Sequence, residues 1–130
     1  MALVRALVEP GPQQGVSTPA QTSVGNTAGV ILAFNAKRKG FVVQNTGTTV
    51  LYLSLGTTLP TATVYHIALK AASSANDGTG GIYIDDGWIG AVNAIGSDVG
   101  GTCVVTETTG GGPNWNLAED WGLYVGGFSE

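Results

Sequence analysis

The stretch KRKGFVVQNTGTTVLYLSLG (residues 37–56) sets three consecutive cations in front of a run that alternates apolar and polar residues, breaks at Gly47, and alternates again. In its second half Leu51, Leu53 and Leu55 fall on one face and Val50, Tyr52 and Ser54 on the other, which is the period of two of a half-buried strand. The segment FVVQN-TGTT-VLYLSL is therefore predicted to be a β-hairpin, with Gly47 supplying a turn conformation that other residues resist. Lys37, Arg38 and Lys39 then lie on the entering turn, in water or facing a partner's carboxylates.

The same period recurs outward from this stretch. VILAF (30–34), FVVQN (41–45), VLYLSL (50–55), VYHIALK (64–70), GIYID (81–85), WIGAVNAI (88–95) and TCVVTE (102–107) are seven short β-type runs separated by Gly-, Thr-, Asn- and Asp-rich connections. In residues 64–70, Tyr65, Ile67 and Leu69 point one way and His66, Ala68 and Lys70 the other. With no amphipathic helix between them, the runs predict an all-β fold: an antiparallel β-sandwich or jelly-roll-like small barrel of seven to eight short strands. Residues 76–81 read as a glycine-rich loop, and Asp85-Asp86-Gly87 as a tight turn.

The ends of the chain break this pattern. Residues 1–29 contain Pro10, Pro12 and Pro19 and read as an extended N-terminal arm, whose Leu3, Val4, Leu7 and Val8 are apolar enough to dock as one side of a short helix or as an added edge strand. After the sandwich (30–109), residues 110–130 begin at a run of glycines and concentrate Trp115, Trp121, Tyr124 and Phe128 in a C-terminal tail. Such a tail docks on a partner through its aromatic residues, or folds back as an additional strand.

Composition bounds the function. Charged residues are 11% of the 130, against about 25% in an average chain, while the apolar fraction is an ordinary 43%. A chain that folds but has little charge to solvate its exterior is expected to hide surface against other protein. The charges are also segregated: residues 1–70 hold five cations and one anion, and residues 71–130 hold eight anions and no cation. Unless folding mixes the halves, one end is basic and the other acidic, a polarity that steers protein contacts. Three clustered cations are too few to neutralise many phosphates, so nucleic acid is not expected as a partner. No run approaches a membrane span, and the N-terminal apolar stretch is broken by Arg5, so the chain is expected to be soluble and made in a cytoplasm, with no membrane partner.

Reactive chemistry finds little support. His66 lies mid-strand with no acidic neighbour in sequence, and the single Cys103 sits in a strand-like run where it reads as a buried small hydrophobe. Asp85-Asp86 is ordinary turn chemistry, and a calcium site from Asp77, Asp85, Asp86 and Asp98 matches neither an EF-hand nor a nonapeptide repeat. The DGTGG loop lacks the Lys-Ser/Thr and helix start of a phosphate cradle. The expectation is a non-enzymatic protein without catalytic residues, metal or cofactor.

RKGFVVQNTGTTVLYLSLG (38–56), YHIALKA (65–71), NDGTGGIYIDDGWIGAVNAI (76–95) and CVVTE (103–107) together resemble small virion structural proteins of tailed bacteriophages. The shared pattern is an Arg-Lys-led strand, a Gln-Asn hairpin, a Leu-Tyr-Leu-type return strand, an Asp-Gly-x-Gly-Gly loop and a Tyr/Trp-x-Gly-x-Val strand before a Val-Val-Thr-Glu ending, covering about residues 37–107. The resemblance implies a β-sandwich unit, often trimeric, that decorates or cements a capsid or forms part of a fibre, adaptor or tail. It carries over no catalytic residue, and the two ends of the chain do not match it. The expected function is a capsid decoration protein in the virion, a homotrimer bridging major capsid protein subunits. Its contact residues would be Leu3, Val4, Leu7, Val8, Lys37, Arg38, Lys39, Trp115, Trp121, Tyr124 and Phe128. The alternatives are a tail, neck or fibre component, and a carbohydrate-binding module with Trp88 as its stacking platform.

Overall fold

A computed structural model describes residues 15–110 of the chain. Among the described residues eight strands form: β1 (Val16–Val24), β2 (Gly29–Leu32), β3 (Arg38–Asn45), β4 (Leu51–Leu55), β5 (Ile67–Leu69), β6 (Ile82–Asp85), β7 (Val92–Gly96) and β8 (Gly101–Thr109). They make two four-stranded sheets, ordered β1-β8-β3-β6 and β2-β7-β4-β5. The all-β sandwich expected from the period-two runs is what the described residues adopt, and each of the seven runs overlaps one of the strands β2 to β8.

The core lies where the two inner faces meet. Phe41, Val43, Cys103, Val105 and Val24 come from one sheet, and Leu51, Leu53, Leu69, Val92 and Ala94 from the other. Alternation decides this on each strand: in β3, Phe41, Val43 and Asn45 are buried while Val42 and Gln44 are half-buried on the opposite face. Phe41 packs a tilted ring on Tyr83 of the neighbouring β6, with centroids 5.8 Å apart.

Two expectations are corrected here. β3 and β4 do not form a hairpin. They belong to different sheets, so residues 46–50 carry the chain across the sandwich, and β3 pairs instead with β8 and β6 (Val42 opposite Thr106 and Ile84). Gly47 is required for close approach: a Cβ there would stand 2.8 Å from the backbone nitrogen of Thr102. The second correction concerns the arm. Residues 16–24 of the segment expected to be extended and separate form β1, paired with β8 at a sheet edge, so the sandwich begins well before Val30. Pro19 is tolerated there because an edge strand can leave one side unpaired.

Three buried polar side chains, Asn45, Asn93 and Ser54, fasten loops to the sheets. Asn45, 1% exposed, donates Nδ2 to the carbonyls of Thr49 (2.8 Å) and Leu69 (3.1 Å) and accepts the Gly47 amide at Oδ1 (3.1 Å), tying the crossing loop to β5. Loop 70–81 closes over it through Gly81 N–H to Lys70 O, Ala72 N–H to Gly47 O and Asn76 N–H to Thr46 O. Asn93 and Ser54, opposite one another on β7 and β4, reach outward to Gly56 O (2.7 Å) and Thr58 O (2.6 Å) respectively. Together with the fully buried Pro60, they lay the segment after β4 across the outer face of the β2-β7-β4-β5 sheet, where Tyr65 packs on Tyr52 at 4.9 Å.

Candidate interaction surface

The three cations that open the decisive stretch separate on folding. Lys37 and Lys39 are exposed, as expected of contact residues on a turn. Arg38 is not: it is buried, its side chain has no exposure, and its Nε donates to Glu107 Oε2 at 2.8 Å. Nη1 donates to the carbonyls of Trp88 (3.1 Å) and Gly90 (2.8 Å), and Nη2 to that of Ala33. The guanidinium also lies 5.7 Å from the centroid of the Phe41 ring. A planar fork with five N–H groups suits this task, because one side chain can hold a carboxylate and three carbonyls at fixed angles. Arg38 is therefore an internal clasp between the β2–β3 loop, the β6–β7 loop and β8, and is unavailable to a partner. Asn35 adds a bond from Nδ2 to the same Glu107 oxygen at 3.3 Å. The pair also joins the cationic half of the chain to the anionic half, so folding mixes the two and the expected charge polarity does not persist within the sandwich.

The remaining sequence candidates fall as follows. Leu3, Val4, Leu7, Val8, Trp115, Trp121, Tyr124 and Phe128 lie outside the described residues. Among the described residues no three of His, Cys, Asp and Glu come together in a metal-binding group. Asp77 accepts the amides of Ser74 (2.9 Å) and Thr79 (2.9 Å) and the Thr79 hydroxyl (2.6 Å), so it holds its own loop, and these bonds lower its pKa below 3.8. Asp85 accepts the Trp88 amide (2.8 Å) and the Tyr83 hydroxyl (2.8 Å), and that second bond raises the Tyr83 pKa. His66 accepts the Leu55 amide at Nδ1 (3.0 Å), which makes it a loop fastener. Cys103 has no exposure, and desolvation pushes its thiol up to about 11. Trp88 is half-buried against the core, donates Nε1 to Ala91 O (3.0 Å), and lies beside Gly90, where a Cβ would meet its ring at 2.6 Å. One side of the indole is thus engaged by the protein itself, a poor start for a sugar platform.

What sequence reasoning missed is a face. On the β1-β8-β3-β6 sheet, the side chains opposite the core are Val42 and Gln44 of β3, Ile82 and Ile84 of β6, Thr102, Val104, Thr106 and Thr108 of β8, and Ser17, Pro19, Gln21 and Ser23 of β1. Register places Thr106, Val42 and Ile84 in one row and Val104, Gln44 and Ile82 in the next. Ser17 and Thr108 meet at 3.3 Å between hydroxyls. Among these described residues not one is charged, and Ile82 (53%) and Ile84 (70%) stand in the open. The signal was present in the sequence as the outward positions of four runs, but reading it required knowing which strands are neighbours.

No protein-family model matches the chain, and no curated protein matches it. Among solved structures, it is similar to a chain from the work described as "Bacillus endospore appendages form a novel family of disulfide-linked pili". The two share 13% identity over 84% of this chain and 98% of that one, with a TM-score of 0.48. A likeness at that level says nothing of function.

Proposed function

We propose that the chain is a non-enzymatic structural protein of a virion, a capsid decoration protein of the tailed-bacteriophage kind that stabilises the head by bridging major capsid protein subunits. The observation that carries this reading is the uncharged, Ile/Val/Thr-lined outer face of one sheet on a sandwich whose polar side chains are spent on its own loops. Arg38, Glu107, Asn45, Asn93, Asp77 and Asp85 all hold backbone or one another. Such a body is rigid, low in charge and suited to standing among neighbours. The strand and turn motifs of residues 37–107 support the same class by resemblance.

In this role the protein binds the assembled lattice in preference to dispersed subunits, and so shifts the shell's equilibrium toward the closed form by mass action. Lys37 and Lys39 on the sandwich, with Leu3, Val4, Leu7 and Val8 before it and Trp115, Trp121, Tyr124 and Phe128 after it, are the contact residues. Several small contacts per protomer, repeated in a homotrimer, bind by avidity. The test is co-sedimentation of the purified chain with capsids that lack it, followed by truncations of residues 1–14 and 111–130. Full-length protein should pellet with capsids at hundreds of copies per particle, and each truncation should lower occupancy while the sandwich stays folded. Occupancy unchanged after both truncations defeats the bridging role, and a handful of copies per particle reassigns the protein to a tail, neck or fibre.

A further inference from the structure

The two outer faces of the sandwich are treated differently by the chain. On the β2-β7-β4-β5 sheet, Ser54 and Asn93 hold the segment after β4 in place as a cover, and Pro60 of that segment is fully buried. On the β1-β8-β3-β6 sheet, Ile82 and Ile84 are open, and β6 is also an edge strand of its sheet. Natural sheets protect exposed edges and faces with lysines, bulges or inward charges. Here the central rows of the described face carry no charged residue, and its charges, Lys39 of β3 and Asp86 just beyond β6, stand at one end.

We propose that this face is where copies of the chain pack on one another, sheet against sheet. The proposal rests on the reading of the protein as an assembling structural component and names the surface it uses. Charge permits this occupant. The described residues hold four cations and five anions, so two sandwiches repel only weakly, and a face whose charges are confined to Lys39 and Asp86 at one end is where they can approach without stranding a charge. A capsid partner chosen by Lys37 and Lys39 would instead meet the sandwich at its β2–β3 end, at the margin of this face.

Area agrees. The four strands are 9, 9, 8 and 4 residues long. At roughly 3.3 Å per residue and 4.8 Å between strands, they offer about 480 Å² of projected face, so two copies cover about 1,000 Å² between them. That is about the lower bound for a specific protein–protein interface. The rows of Thr106, Val42 and Ile84 and of Val104, Gln44 and Ile82 supply its apolar centre, with Ser17, Pro19, Gln21 and Ser23 as an uncharged polar rim.

The test is sedimentation velocity of the purified full-length chain from about 1 to 100 µM, a range that brackets the affinity of a modest interface. Wild type should sediment as an oligomer at the upper end. Ile84→Glu places a carboxylate in an apolar row of the face, on its edge strand β6, and should weaken self-association by at least about a hundredfold. Since Ile84 is 70% exposed, its thermal midpoint should be unchanged. Thr106→Lys on the adjoining row is the second variant, with the same expectation. Val64→Glu, 62% exposed on the covered side, is the control and should assemble like wild type. Ile84→Glu and Thr106→Lys chains that still assemble overturn the proposal. A wild-type chain that stays a single copy at 100 µM also overturns it, leaving the face to a capsid subunit or to the chain's own ends. Capsid binding separates the two readings: monomeric wild type that still coats capsids refutes only the self-packing face, whereas a self-packing chain that ignores capsids refutes only the decoration role.

Discussion

Removing the Arg38 guanidinium should cost this small domain a large part of its stability. In Arg38→Ala the Glu107 carboxylate loses its only ion-pair partner among the described residues, and the carbonyls of Ala33, Trp88 and Gly90 lose their donor. Breaking a buried pair by deleting one member costs about 3–5 kcal/mol. Glu107 keeps 26% exposure and can recover some hydration, which places the expected loss near the lower end, about 3–4 kcal/mol. For a domain of this size that is a fall in thermal midpoint of roughly 12–30 °C. Urea unfolding followed by circular dichroism, with Glu107→Gln and the double mutant completing a cycle, measures the coupling between the two side chains. Arg38→Lys should fall between wild type and Ala, because an ammonium can reach the carboxylate but cannot span three carbonyls from different loops. A loss of less than about 1 kcal/mol in Arg38→Ala would refute the clasp, since that is what an exposed ion pair is worth.

Further outcomes follow from the same geometry. Because hydrogen bonds from Thr79 and Ser74 lower the Asp77 pKa below 3.8, Asp77 contributes stability that is present above pH 3.8 and lost as pH falls through its folded-state value. Unfolding curves of wild type and Asp77→Asn should therefore converge with acid, and curves that stay parallel down to about pH 2 would contradict this. Cys103, with its thiol pushed up to about 11 and no exposure, should react with an aromatic disulfide reagent at pH 8 only as fast as the protein opens, and fully in denaturant. Gly80→Ala would set a Cβ 1.8 Å from the Asn45 carbonyl oxygen and should destabilise by about 3 kcal/mol or more, whereas Gly87→Ala, with nothing within 4 Å, should be neutral within about 0.5 kcal/mol. Equal midpoints for the two alanine variants would show that loop 70–81 does not press on the Asn45 clasp as described.

The strands of the core were legible because half-burial imposes a period of two, and that period is written in Leu51, Leu53 and Leu55 and again in Cys103, Val105 and Glu107. Which strands pair was not legible: a short Thr/Gly loop serves equally to turn a hairpin and to cross between sheets. β1 escaped notice because six of its first residues are exposed and Pro19 interrupts it, so no burial alternation marks it. Arg38 was hidden among Lys37 and Lys39, yet its partner was visible. Glu107 continues the inward series of Cys103 and Val105, and a carboxylate on an inward face needs a cation. The uncharged sheet face illustrates the general limit, since a surface is assembled from strands far apart in sequence and only topology brings its rows together.

An image reconstruction of the particle proposed to carry this protein tests the central claim most directly, because it locates the sandwich and shows what each of its faces touches. The decoration reading requires density for the sandwich over junctions of capsid subunits, and the self-packing proposal requires the face bearing Val42, Val104, Ile82 and Ile84 turned against a neighbouring copy. Density confined to the tail would contradict the decoration reading, and that face open to water in every copy would contradict the self-packing proposal.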